Sequence, residues 1–491
     1  MTPTLIGRVD AACTRAMDEL GDNIIADDIR RIREGLHQPL RVAIVGRIKA
    51  GKSTLLNALL GERIAATDAG ECTRYVCHYR HGLSYEVEAV MPGGARVSLP
   101  FRRGEDTLEI GLEAAPGGID RLEVAWPSSA LARMTIIDTP GMGSTSEEVR
   151  VRIASFLGGE DERFAPEADA VVFLMRHLHR TDLELMESLY DQSVVSASPV
   201  NAVAVLSRAD EVCAARPDAM EAARRIADRY AADPQLRGAV ADVIPMAGLL
   251  AETGATLRES EVAWLRQLAE MDKAELPALL LSVDRFRQAE LGPLTGEVRE
   301  ILLRRLGLFG VRFALQEISE RRGETAVALA RALIQVSGIA RLQALIDEYF
   351  ASRAGHLKAR SALLQLRSAA RSAEETSPGA ARSIRTSIEM VEASAHELAE
   401  LRLLHLALTG AAGLSEDEVV EIRRLVSGRP AAGRLDLPED ATKEAQGQAA
   451  LERVERWRQR AAHPLAPRDL MTACEIATRS YEGIYAGTLA E

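Results

Sequence analysis

The sequence predicts an α/β domain, with a mostly parallel sheet and helices on both faces, joined to an all-α half. Between Leu40 and about residue 244, short β-branched runs alternate with helical stretches, the pattern of buried strands linked by crossover helices. Beyond Asp284 the strand signals stop, and the chain becomes Leu-, Ala-, Arg- and Glu-rich with three- and four-residue apolar spacing, the period of helices that bury one face. At 491 residues the chain holds about three folding units.

Each element follows from its own pattern. Residues 5–37 carry Ile6, Val9, Ala12, Ala16 and Leu20, then Ile25, Ile29, Ile32 and Leu36, which predicts one or two amphipathic helices closed by Pro39. Strands are expected at Arg41–Val45, Leu122–Trp126, Thr135–Ile137, Ala170–Met175, Ala202–Leu206 and Asp242–Ile244, with a further one after the polar segment that ends at Arg74. In the helical half, Thr376-Ser377-Pro378-Gly379 reads as a turn between long helices, and Gly428 to Thr442 as a polar loop. A last helix, from about Pro467 to Ala486, is placed to pack back on the N-terminal helix.

Composition narrows the function classes. With 47% hydrophobic and 27% charged residues, the chain has ample material for a packed core and is not of the disordered type. A net charge of −12 repels phosphate polymers, so no nucleic-acid partner is expected, and any anionic lipid contact requires a local basic patch. Five scattered cysteines show no CxxC pair and no zinc-ligand spacing, which fits a reducing compartment. The first residues have neither the basic start nor the apolar run of a secretion signal. No window reaches the roughly 18 uncharged apolar residues of a membrane span, and a cytoplasmic location is expected.

The motifs lie at strand ends. Gly46-Arg47-Ile48-Lys49-Ala50-Gly51-Lys52-Ser53 directly follows the first strand and is followed, after Thr54, by the apolar helix Leu55–Leu60. This GxxxxGK[ST] string turns backbone N–H groups inward around phosphates and adds the positive end of a helix dipole. Lys52 is expected between the β- and γ-phosphates and Ser53 on Mg²⁺. Later, Thr135-Ile136-Ile137 runs into Asp138-Thr139-Pro140-Gly141, where Asp138 would support the metal and the Gly141 N–H would meet the γ-phosphate. After the strand Ala202–Leu206 stands Ser207-Arg208-Ala209-Asp210. Asp210 can accept the guanine N1 and N2 protons, and the Arg208 stem can cover the ring. That choice of base makes GTP and GDP the expected nucleotides.

The remaining contacts are read from weaker signals. A nucleotide switch needs a Thr to close over Mg²⁺ and γ-phosphate; Thr73 is chosen, with Thr67 as runner-up. Small residues at Ala247 and Gly248 would let backbone N–H groups approach the base. Met142 occupies the position after the DxxG glycine where many small GTPases place a water-orienting Gln. Lys49 is then either a charge-stabilising finger over the phosphates or a solvated lysine. His177 and His179 fit a polar loop over the site better than a metal centre.

The order of these motifs, the long insertion between Lys52 and Asp138 and the helical half resemble the bacterial dynamin-like GTPases. The stretches Thr73-Arg74-Tyr75-Val76, Leu281-Ser282-Val283-Asp284-Arg285-Phe286 and Arg460-Ala461-Ala462-His463-Pro464-Leu465 extend the likeness along almost the whole chain. The resemblance implies neck helices at 1–38 and 467–491, a GTPase domain at 39–284 and a helical trunk at 285–466. It further implies GTP hydrolysis with Mg²⁺, a homodimer through the heads or a hetero-oligomer with a second dynamin-like protein, and remodelling of anionic membrane at the inner face of the plasma membrane. The related guanylate-binding proteins and atlastins carry a catalytic Arg where this sequence has Lys49. The alternative is a GTP-dependent switch or scaffold whose helical half binds a protein rather than lipid. Arg353, Arg360, Arg367 and Arg371 step along one helix face, either as a solvated face or as a headgroup patch, and the 372–386 turn is the candidate tip.

Overall fold

The computed structural model describes residues 4–21, 24–65, 75–92, 94–104, 108–115, 118–140, 168–178, 199–272, 274–323 and 325–489. Eleven strands are present among them: β1 Leu40–Gly46, β2 Val76–His81, β3 Glu86–Val90, β4 Arg96–Ser98, β5 Phe101–Arg103, β6 Leu108–Ile110, β7 Arg121–Trp126, β8 Met134–Asp138, β9 Ala170–Met175, β10 Ala202–Ser207 and β11 Val243–Met246. Nine of them form one sheet in the order β11-β10-β9-β1-β8-β2-β7-β3-β4, and β5 and β6 pair separately.

From β11 to β8 every pairing is parallel, and these strands are apolar runs buried on both faces, as in β9 and β10. At β2 the sheet changes character. β2 runs antiparallel to β8, with Cys77 opposite Asp138, and β3 and β4 extend the sheet in antiparallel fashion. β1 lies between β8 and β9, so chain order reverses on either side of it. Such a switch point at the carboxyl edge of a parallel sheet leaves a crevice for ligand.

Helices cover both faces. One core joins the sheet to the N-terminal helices Leu5–Leu20 and Ile24–His37 and to most of the chain beyond Ile339. The other face is covered by helices up to Ser337. The chain beyond residue 284 therefore stays with the sheet at first: Gly296–Ser319 and Ala326–Ser337 bury Leu306, Phe309, Leu329 and Leu333 in that second core. The C-terminal helix Arg468–Leu489 packs mainly on Lys443–Ala461, and with Arg8 of the N-terminal helix it lines a common cleft. Among the described residues no single helix is long and apolar enough to cross a membrane.

The basic stripe is enclosed over its first half, while Arg371 at its end is exposed. Arg353 is 2% and Arg360 9% exposed. Arg353 follows a π-turn at Ile346–Phe350, donates to the Tyr349 and Val426 carbonyls and stacks over the Tyr349 ring. Arg367 forks onto Glu392 at 2.7 Å. The cause lies in the helix Ala354–Ser372, which packs against the neighbouring helices Ile24–His37 and Pro378–Ser394 and so encloses its own long cationic stems. The 372–386 turn is held down as well: Ala381 and Ile384 are buried, and Ser383 bonds Glu19 of the N-terminal helix.

Candidate functional site

The loop between β1 and the helix Lys52–Leu60 is shaped by its backbone. Gly46 stands opposite Leu174 of β9, and a Cβ there would come within 2.7 Å of the Leu174 carbonyl oxygen. Gly51 caps the helix at φ 97°, and Lys49 also takes a left-handed conformation, at φ 62°. Ala50 is buried while Arg47, Ile48 and Lys49 are exposed. Ser53 and Thr54 occupy the first turn of the helix, where N–H groups without helical partners favour an anion.

The Lys52 ammonium turns back into this loop and donates to the Gly46 and Arg47 carbonyls at 3.2 and 3.5 Å. Burial lowers its pKa, opposed by the negative charge of Asp138. Asp138, at the carboxyl end of β8, is raised to about 6 by burial, with Lys52 pulling the other way. Its Oδ1 is buried with no hydrogen-bond partner among the described residues. Thr139 anchors the following backbone, its hydroxyl donating to the Ile44 carbonyl at 2.9 Å. A buried carboxylate oxygen without a donor, beside a helix start bearing the Ser53 hydroxyl, is a donor set suited to a hard divalent cation such as Mg²⁺.

On the same edge, β10 delivers Ser207 to Asp210. Ser207 is tied to the Met175 carbonyl, and Arg208 takes φ 54° and pairs with Glu211 at 2.8 Å, which also holds Arg176. Asp210 is buried, and desolvation raises its pKa to about 6, the Glu211 charge adding to the effect and the Arg208 charge opposing it. Gly248 opens a helix close to Thr54: a Cβ on Gly248 would lie 3.5 Å from the Thr54 methyl. One expectation is corrected here. The Ala247 N–H does not face the site, because it donates to the Ser337 carbonyl at 2.9 Å, where the sharp turn at Gly338 presses the Ala326–Ser337 helix end onto β11.

The dynamin family matches residues 42–199. The isoniazid-induced protein IniC of Mycobacterium tuberculosis is 39% identical over 460 residues, which is 93% of this chain and 92% of its own length. The chain belongs to the dynamin family. A bacterial dynamin-like protein of Nostoc punctiforme is 28% identical over 163 residues, covering 30% of this chain and 22% of that one. A solved chain from an oligomerised bacterial dynamin pair aligns with 99% of this chain and 75% of its own at 13% identity, with a TM-score of 0.30.

The α/β half of this dynamin-family chain is accordingly a GTPase domain, and the structure brings Lys49, Lys52, Ser53, Thr54, Asp138, Arg208, Asp210 and Gly248 to one sheet edge. Thr67, Thr73, Gly141, Met142 and His179 lie outside the described residues; His177 follows β9 directly. Two features of the domain escape motif reading. Asn57, inside the helix after the phosphate loop, accepts from the Ile64 and Ala65 N–H groups at 2.9 and 2.8 Å and donates to Glu252. Glu252 also takes Arg63 at 2.5 Å, so the chain leading into the Thr67–Thr73 segment is tied to the helix that follows β11. The other feature is Gly307, at φ 63° and ψ 175° within Gly296–Ser319. An added Cβ there would lie 3.5 Å from Asp210 Oδ2 and 3.9 Å from Leu249. No local spacing marks Gly307; only an unfavourable glycine in a helical run hints at it.

Proposed function

We propose that this chain hydrolyses GTP to GDP and phosphate with Mg²⁺ and couples the cycle to head-to-head association and movement of its helical half at a membrane surface. The observation that carries this reading is Asp138, whose buried Oδ1 has no donor among the described residues and whose charge acts on the half-buried Lys52, on the edge where Asp210 also ends. Lys52 would exchange its two long carbonyl contacts for phosphate oxygens. Asp210, once ionised, accepts the guanine N–H groups. Ser53 and Asp138 are the described side chains that would hold Mg²⁺, which would supply positive charge against that developing on the phosphates; Thr73 is assigned the same role by its place in the sequence, and Gly141 that of meeting the γ-phosphate. Lys49, exposed on the rim in a left-handed turn, is our candidate for stabilising charge across an associated pair of heads.

The test is phosphate release at several protein concentrations, for the wild type beside Lys52→Ala and Lys49→Ala. Turnover per molecule should rise with concentration in the wild type, vanish in Lys52→Ala and fall about tenfold or more in Lys49→Ala. Flat, near-zero wild-type turnover would leave a nucleotide-binding scaffold. Retention of full activity by Lys49→Ala would remove the finger alone. A lipid partner rests on the sequence resemblance to the bacterial dynamin-like GTPases, and the burial of Arg353 and Arg360 takes those two arginines out of its support. Co-sedimentation with anionic liposomes, with and without GTP, separates lipid contact from a helical half that binds protein.

A further inference from the structure

Residues 208–215, which leave the carboxyl end of β10 and include Asp210, are bent against the preference of their own side chains. Of the seven non-glycine residues with positive φ among the described residues, four lie here: Arg208 at 54°, Cys213 at 52°, Ala214 at 57° and Ala215 at 56°. In left-handed backbone the Cβ crowds the following carbonyl oxygen, so residues other than Gly, Asn and Asp seldom enter it, and then singly. Three in succession persist only where the surrounding structure fixes them. Neither Cys213 nor the two alanines has a side chain that could do so by bonding its own backbone.

The constraint comes from the helical half. Arg312 lies on Gly296–Ser319, beyond the break at Gly307, and its guanidinium donates to three backbone carbonyls. Nη1 takes that of Ala215 at 2.5 Å, while Nη2 takes those of Leu280 at 2.5 Å and Leu281 at 3.5 Å. One planar fork therefore ties the end of the left-handed run to the turn that precedes the helix Val283–Gln288. The root of the side chain is fixed as well, because its helix neighbours Val311, Ala314 and Leu315 are buried and Phe309 stacks on Phe313. The same helix flanks the loop at a second point, where a Cβ added to Gly307 would lie 3.5 Å from Asp210 Oδ2.

We propose that Arg312 is a positioning residue for base recognition. By clamping the run 213–215 it fixes the loop that carries Asp210, and so sets the preference for guanine over adenine nucleotides. This role rests on the reading of Asp210 as the acceptor of the guanine N–H groups. An ammonium on a four-carbon stem donates from a single point, so Lys at position 312 would keep the charge without spanning both segments as the fork does.

The test compares the full-length wild type with Arg312→Ala, Arg312→Lys and Asp210→Ala by calorimetric titration with GTP, with ATP and with inorganic tripolyphosphate, which carries no base. Arg312→Ala should lose about tenfold in GTP affinity, keep its tripolyphosphate affinity and show a smaller ratio of GTP to ATP affinity. Arg312→Lys should lose less. Peptide-resolved amide exchange of the nucleotide-free chain should quicken over residues 209–216 in Arg312→Ala. If that chain melts below the assay temperature, Arg312→Ala with Ala214→Gly and Ala215→Gly takes its place, since glycine adopts positive φ without the Cβ clash. Parallel losses for GTP and tripolyphosphate, or unchanged GTP affinity beside an impaired Asp210→Ala, overturn the role of Arg312 alone. Unchanged GTP affinity in Asp210→Ala itself removes the base reading, and this role with it.

Discussion

The Asp210 carboxylate lies against the backbone of Gly307, at the one point where the long helix Gly296–Ser319 departs from helical geometry. The two are far apart in sequence, and the approach places a residue of the helical half beside the carboxylate we propose as the reader of the base. At φ 63° and ψ 175°, Gly307 occupies a region essentially closed to residues with a Cβ. Gly307→Ala should therefore cost about 1–3 kcal/mol of stability through backbone strain. The added Cβ would itself meet Asp210 Oδ2 at an ordinary contact distance of 3.5 Å, so any selective loss of GTP binding should come from relaxation of the strained backbone beside Asp210. Calorimetry with GTP and with a guanine-free triphosphate checks this. Equal losses for both ligands would show that Gly307 does not act through the base.

Asp210 itself carries a stability cost that has the opposite sign to its proposed use. Its folded-state pKa of about 6 stands above the ordinary 3.8, so the folded chain holds this proton more tightly than the unfolded chain. The contribution is fully present below about pH 4, declines as pH rises from there to about 6, and is lost above that. Without nucleotide, Asp210→Asn should be more stable than wild type by about 2 kcal/mol at pH 7.5, and the gain should disappear near pH 4. GTP affinity of the wild type should fall as pH drops through about 6, because a protonated carboxyl no longer accepts both guanine N–H groups. Melting curves and titrations across this range decide. A pH-independent difference between the two chains would mean that burial of the ionised carboxylate is not what Asn relieves.

What the sequence made legible follows the physics of each element. The strands from β11 to β8 and β7 are written in short, mostly apolar runs rich in β-branched residues, and β1, β7, β8, β9, β10 and β11 all stand where those runs place them. β3 to β6 were not legible, because Glu86-Val87-Glu88-Ala89 and Arg96-Val97-Ser98 alternate over too few residues to stand out, the strands being five residues in β3 and three in each of the others. In the structure, Glu88 and Glu123 sit directly opposite each other, and Arg96 bonds both of them. A charge cluster of that kind can be read only once the strands are paired. The motif residues Lys52, Asp138 and Asp210 were legible because a P-loop domain needs fixed residue types at successive strand ends. The Ala247 contact was misread for the reverse reason: its N–H is satisfied by Ser337, and nothing in the 245–248 string reveals that partner.

Asn57 supports the nucleotide site without any motif to mark it. Asn57→Ala would leave the Ile64 and Ala65 N–H groups, both accepted by its side chain, and the Glu252 carboxylate short of partners. A loss of about 2–3 kcal/mol is expected, along with faster amide exchange at residues 64 and 65. If these residues position the switch segment, GTP turnover should fall more than GTP affinity. An unchanged exchange rate would show that Arg63 and Glu252 hold the segment without Asn57.

Arg353 separates a structural role from a membrane role in the stripe. Its guanidinium is buried between Tyr349 and the Val426 carbonyl, and desolvation lowers its pKa to about 10, so it remains charged near neutrality. Replacing it with Gln removes a buried, hydrogen-bonded cation that bridges the π-turn at 346–350 to the segment before Gly428, whose backbone packs on the Ser352 carbonyl. A cost of about 3 kcal/mol or more is expected, lowering the melting temperature by several degrees. Binding of the folded fraction to anionic liposomes should be unchanged, because a side chain enclosed by protein cannot meet a headgroup. A selective loss of liposome binding at unchanged stability would mean that this helix opens to present its arginines, and the stripe would return as a lipid-facing surface.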